Sequence, residues 1–183
     1  MIYYQKLDIE NFEVIIDEIL RFAAPKIPLT QRYLDANPLD IYRYTPKLFC
    51  FLRENFHKFP ILFRFYNSPP YYQMPPHIDN HPEAENKIGF NIPLLGTKDT
   101  TMNYYSTPDD NLRLTYTGFA NMPAQTLKDY SKLTLLASFE LDKPTLVRTD
   151  IIHDIVNQKD SNRLILGMKC LGTTFEEVYK FKS

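Results

Sequence analysis

The stretch PPHIDNHPE at residues 75–83 places His77, Asp79 and His81 within five residues. If the chain is extended there, His77 and Asp79 share a face, because strand side chains alternate. One imidazole and one carboxylate can then reach a common metal ion. His81 would share that face if the strand ran on. Pro82 and the charged EAEN segment end the strand first, which makes His81 a loop residue at the mouth of the site.

A second imidazole must come from elsewhere, and the chain has only four histidines. His57, in NFHKFP, sits where a helix ends, and a charged histidine suits a helix C-terminus. That leaves His153, in RTDIIHDIVNQ, read as the end of a strand before a turn. Two imidazoles and one carboxylate, with three positions open, form the donor set of non-haem Fe(II) oxygenases. A closed structural zinc site would want four protein ligands, usually including thiolates. The only cysteines, Cys50 and Cys170, lie far apart and read as core residues of a reducing compartment.

Ten residues after His153 stands Arg163, which opens the run RLILGMKC. Alternation puts Leu164, Leu166, Met168 and Cys170 on one face, with Arg163, Ile165, Gly167 and Lys169 on the other. The run IGFNIPLL splits the same way: Ile88, Phe90, Ile92 and Leu94 against Gly89, Asn91 and Pro93. Two strands with one apolar face and one face of polar groups and glycine describe the wall of a cavity. A guanidinium pointing into a cavity is costly unless it meets an anion, and it grips a carboxylate through two parallel hydrogen bonds. Lys169 and Arg148 read as solvated or salt-bridged groups.

These residues need a scaffold. The apolar spacing of NFEVIIDEILRFA predicts a helix with Phe12, Ile15, Ile16, Ile19 and Phe22 on its buried face and Asn11 as its cap. Pro25 and Pro28 end it. A second helix starts at TPKLFCFLRENF, with Thr45 as N-cap and Pro46 at the first helical position. From residue 60 the pattern turns to short runs separated by turn residues. Strands are expected at 61–66, 88–95, 101–106, 112–117, 133–140, 145–150 and 163–170. The stretch NMPAQTLKDYS at 121–131 reads as a further short helix, and the aromatic, proline-stiffened PPYYQMPPH as a substrate-facing lid. The expected fold is mainly β with N-terminal helices: a double-stranded β-helix, or jelly-roll barrel, of cupin-like shape. One domain spans 1–183, with a helical packing segment over 1–60 and the barrel over 61–183.

With HID at 77–79, HDIVNQKDSNR at 153–163 and the strands around them, the chain resembles the Fe(II)- and 2-oxoglutarate-dependent oxygenase superfamily. The pattern of that superfamily is H-x-D, a distal His, then Arg or Lys about ten residues on, and the likeness covers roughly residues 60–170. The tail HDIVNQKDSNRLIL is similar to the aspartyl/asparaginyl β-hydroxylase branch, where the carboxylate ligand is often missing; Asp79 supplies it here. A prolyl-hydroxylase-like branch is the other match. The small-molecule oxidase branch has a hydroxyl residue two after the arginine, where this chain has Ile165.

The resemblance implies Fe(II) on His77, Asp79 and His153, and 2-oxoglutarate anchored by its far carboxylate on Arg163. Asn91 would serve its other end, with Tyr104 or Tyr66 as the arginine's helper. It implies a dioxygenase that hydroxylates a C–H bond of an amino-acid, peptidyl or small-molecule substrate and releases succinate and CO2. The alternative is a non-redox, cupin-like metal- or ligand-binding protein.

Composition narrows the partners. A net charge of −1 gives no general pull toward nucleic acid or anionic membrane. Neither a membrane-length apolar stretch nor a signal-peptide pattern is read, so a cytoplasmic location is expected. The sequence leaves the oligomeric state open.

Overall fold

A computed structural model describes residues 2–27, 32–79, 87–116 and 123–181. In chain order the elements begin with β1 (Tyr4–Lys6), α1 (Phe12–Ala23), β2 (Tyr33–Ala36), α2 (Pro38–Tyr44) and α3 (Pro46–Asn55). Strands follow: β3 (Leu62–Ser68), β4 (Gln73–Ile78), β5 (Ile88–Leu95), β6 (Thr100–Ser106), β7 (Leu112–Tyr116) and β8 (Pro123–Leu127). The chain closes with β9 (Thr134–Glu140), β10 (Thr145–Arg148), β11 (Ile152–Asn157), β12 (Arg163–Cys170) and a short α4 (Phe175–Val178).

The strands form two antiparallel six-stranded sheets, ordered β1-β10-β5-β12-β3-β2 and β7-β8-β4-β11-β6-β9. This is the double-stranded β-helix expected from the strand spacing. One sheet carries the helices on its outer face. Phe90, Ile92 and Leu94 of β5 and Leu166, Met168 and Cys170 of β12 join one core with Ile15, Ile19 and Phe22 of α1 and Leu48, Phe51 and Leu52 of α3. Phe90 lies 5.1 Å from Phe56 and 6.1 Å from Phe51, ring centre to ring centre. The opposite faces of β5 and β12 are thereby turned toward the second sheet. The alternation of those two strands decides what the interior contains.

Several local expectations need correcting. Residues 1–60 are not purely helical: β1 and β2 occupy the two edges of the helix-covered sheet. Asn11 has a left-handed backbone (φ 53°) and its side chain caps nothing. Thr45 does not cap α3 either, because its hydroxyl turns back to donate to the Ile41 carbonyl. The buried Glu18 of α1 does that work by accepting from the amides of Lys47 and Leu48 at 2.9 and 3.2 Å. A carboxylate at a helix N-terminus is favoured by the dipole, and here it also ties α1 to α3.

The expected helix at 121–131 is instead β8 followed by a 3-10 turn at Tyr130–Lys132. β8 pairs with β7 and β4, so tertiary pairing overrides the local pattern. The lid segment is largely β4, an interior strand of the second sheet, although Tyr71 beside it is exposed. Cys50 is exposed, whereas Cys170 is buried as expected. His81 lies outside the described residues.

Candidate metal centre and its cavity

His77 lies near the end of β4, and Asp79 directly follows that strand. His153 does not end a strand; it is the second residue of β11, which pairs with β4 so that His153 and His77 stand directly opposite. The pairing slips just beyond this point, between His153 and Ile155. There Pro75 and Pro76 face Asp154, and prolines donate nothing to the ladder. On the outer face Asp154 bridges the irregular stretch, accepting from Gln73, Asn103 and Tyr105. The carboxylate thus ties β4, β11 and β6 together next to the two histidines.

The three side chains converge. One potential ligand atom from each lies within 4.8 Å of the others, close enough for a single ion to touch all three. Nε2 of His77 is 3.0 Å and Nε2 of His153 is 4.0 Å from Asp79 Oδ1. The opposite ring nitrogens settle the tautomers. Nδ1 of His77 meets the Pro75 carbonyl and Nδ1 of His153 meets the Ile151 carbonyl, both at 2.8 Å. A carbonyl only accepts, so each Nδ1 carries a proton and each Nε2 faces the shared point.

Asp79 Oδ2 has a different partner. It accepts from Lys169 Nζ at 2.6 Å, and Lys169 is only 5% exposed. Burial alone would raise the Asp79 carboxyl, but the Lys169 charge and the His77 hydrogen bond hold it well below the usual carboxylate range. For His77, burial opposes the charge, yet its bond to Asp79 outweighs this and raises its pKa. Burial, reinforced by the charge of His77, lowers His153 to about 4.

Between the sheets is a cavity of about 60 Å3, lined on one side by Met74, His77, Asp79, Met102, His153 and Ile155. One water needs on the order of 10–15 Å3, so this is room for a small ligand or a few waters. The far wall includes Tyr66, Ser68, Asn91, Arg163, Gly167 and Lys169. Much larger open hollows on the helical side hold none of the three converging residues.

Arg163 is 1% exposed, not a surface residue. Its Nη1 reaches Ser68 Oγ at 3.4 Å, while Nε and Nη2 have no hydrogen-bond partner among the described residues. Burial lowers its pKa to about 9, the mark of a cation held where water is scarce. Asn91 lines the same cavity as Arg163. Tyr104 does not: its hydroxyl donates to the Arg148 carbonyl at 3.0 Å, and its ring packs with Met102 and Phe139. Of the two tyrosines expected beside Arg163, Tyr66 lines the cavity and Tyr104 does not, and the side chain that meets the guanidinium is Ser68.

Sequence reasoning missed Ser68 and the importance of Lys169. Both were detectable in principle. Ser68 shares the face of Tyr66 on β3, and Lys169 the face of Arg163 on β12.

The sequence matches no family model and no curated protein. Among solved structures, the fold is similar to that of SnoK, a non-heme alpha-ketoglutarate-dependent carbocyclase from nogalamycin biosynthesis. The two share 12% identity at a TM-score of 0.57, over 91% of this chain and 77% of that one. A prolyl-4-hydroxylase of Pseudomonas putida gives 12% identity and a TM-score of 0.48 over 93% of both chains. EctD from S. alaskensis gives 13% and 0.45, over 91% of this chain and 72% of that one. The first of these bears on the fold, which is that of the jelly roll, and on nothing finer.

Proposed function

We propose that this protein is an Fe(II)- and 2-oxoglutarate-dependent dioxygenase that hydroxylates a C–H bond of an amino-acid, peptidyl or small-molecule substrate. One observation carries the reading: a His-Asp-His cluster shares a small cavity with a buried arginine that has two donors unpartnered among the described residues. A metal-binding protein without oxidative chemistry needs the first feature and has no use for the second.

The residues fit both groups. Two neutral imidazole nitrogens and one carboxylate oxygen are the facial donor set that leaves three positions of an iron open. The unpartnered Arg163 donors suit a carboxylate, which takes two parallel hydrogen bonds from a guanidinium. When bound, the iron would supply activation of O2, the oxidant, and 2-oxoglutarate would supply two of the electrons, leaving as succinate and CO2.

The chain's own work is positional. The Pro75 and Ile151 carbonyls fix both imidazoles with Nε2 toward the cavity. Lys169 occupies Asp79 Oδ2 and so offers Oδ1 to the ion. Arg163 and Ser68 hold the far carboxylate of the cosubstrate, with Asn91 on the adjacent wall. Apolar side chains such as Met74, Met102, Ile155 and Ile165 complete the lining and keep water from the reacting atoms.

The test is direct. Oxygen-free, iron-loaded protein titrated with 2-oxoglutarate is expected to develop a metal-to-ligand absorption, and admission of oxygen to give succinate. Iron binding with neither signal would leave a non-redox metal protein.

A further inference from the structure

We infer that the substrate of this site carries a carboxylate or a comparable anionic group, received by Lys169. The inference rests on the proposed oxygenase reading and adds the substrate's charge class to it.

Among the described lining residues there is one carboxylate, Asp79, and there are two cations, Arg163 and Lys169. Arg64, 6.0 Å from the ring of the cavity-lining Tyr66, is neutralised by a two-pronged bond to Asp35. With both imidazoles neutral, as metal ligands must be, the lining residues hold one positive charge in excess. A divalent ion raises the excess to three, and a dicarboxylate cosubstrate brings it back to one. Buried charge that is left unpaired is costly, so a loaded site of this composition is completed by one more anion.

Geometry assigns that anion to Lys169. Arg163 and Lys169 lie six residues apart on one face of β12, a distance of roughly 20 Å between their backbones at about 3.3 Å per residue. They serve opposite ends of the wall. Arg163 has the cosubstrate's far carboxylate to satisfy it. Lys169 stands at the metal end, where Asp79 Oδ2 is its one hydrogen-bond partner among the described residues. An ammonium has three donors, so two remain to be used. An ion drawing charge from Asp79 weakens the hold of that single partner, and a substrate carboxylate restores it.

The experiment compares molecules that differ only in charge. Oxygen-free protein loaded with Fe(II) and 2-oxoglutarate is titrated with matched pairs: N-acetylalanine and N-acetylalaninamide, benzoate and benzamide. The readout is displacement of the metal-to-ligand absorption, which needs no turnover. Acids are expected to act at concentrations at least about tenfold below their amides. That preference should vanish in Lys169→Met and persist in Lys169→Arg, each first shown to load iron and 2-oxoglutarate. Acids that perturb the absorption no more than their amides in the wild-type protein overturn the inference alone. So does an acid preference that survives in Lys169→Met. If 2-oxoglutarate never produces the absorption, the oxygenase reading falls and this inference falls with it.

Discussion

The two ends of the cavity handle buried charge in opposite ways. At the metal end, His77, Asp79 and Lys169 form a connected chain of hydrogen bonds, 3.0 and 2.6 Å long, with both Nδ1 atoms satisfied by backbone carbonyls. At the other end, Arg163 is more deeply buried and makes one long contact, leaving two donors unpartnered. The first end pairs its own charges within the protein. The second leaves two donors unmet among the described residues. A buried donor with no acceptor costs about 1–3 kcal/mol, so the arginine is better explained by binding than by stability.

The contrast is most severely tested by deleting a ligand. His153→Ala should weaken iron binding by more than about a hundredfold, beyond the range for losing an outer-shell partner. Equilibrium dialysis reads this, and unchanged occupancy would remove His153 from the site.

Arg163→Met should weaken 2-oxoglutarate binding by at least about tenfold with iron affinity nearly unchanged, since a charge-assisted bond contributes about 1.5–3 kcal/mol. Arg163→Lys should fall between, keeping the charge and losing the fork. The same Arg163→Met change should raise the melting temperature of the ligand-free protein by a few degrees, because the unpartnered donors are gone. Weaker binding with greater stability is the signature of an incomplete end; a loss of both would make Arg163 structural.

The metal end should show itself through pH. Nε2 of His77 must shed a proton to bind an ion, and its pKa is raised by Asp79 against the opposing effect of burial. Iron affinity should therefore still be increasing as pH rises past the ordinary imidazole value of about 6.5, by up to about tenfold per unit, and level off only above the raised pKa. His153, lowered to about 4, is already neutral there and adds nothing to the slope. A flat profile from pH 6 to 8 would contradict the His77–Asp79 arrangement.

Gly167 lies on the wall between the two ends. A Cβ there would stand 2.7 Å from Tyr66 Cε2 and 3.2 Å from Asn91 Oδ1. Gly167→Ala should cost about 1–3 kcal/mol in denaturant unfolding and reduce 2-oxoglutarate affinity by pushing both side chains into the cavity. The smallest effect is expected at His57, beyond the end of α3, whose amide bonds to the Val178 carbonyl. His57→Ala should leave iron binding intact; loss of iron from a folded variant would show that the helical layer supplies a ligand.

Much of this was legible from residue order. The face-splitting of residues 88–95 and 163–170 is a local property, and both strands have those bounds. Period-two alternation decides which side chains face inward once one face is apolar enough to be buried. The same rule placed Arg163, Asn91 and Gly167 on the cavity wall, and elimination among four histidines selected His153. Tertiary structure decided what depends on pairing between distant segments. The β4–β11 register set His153 opposite His77, and β3 beside β12 brought Ser68 to Arg163. Strand 123–127 displaced a helix that its own residues would accept. The pairing of Lys169 with Asp79 crosses from one sheet to the other, over ninety residues of chain. No spacing rule reaches that far: alternation fixes the face a side chain points from, and packing of the two sheets fixes what it meets.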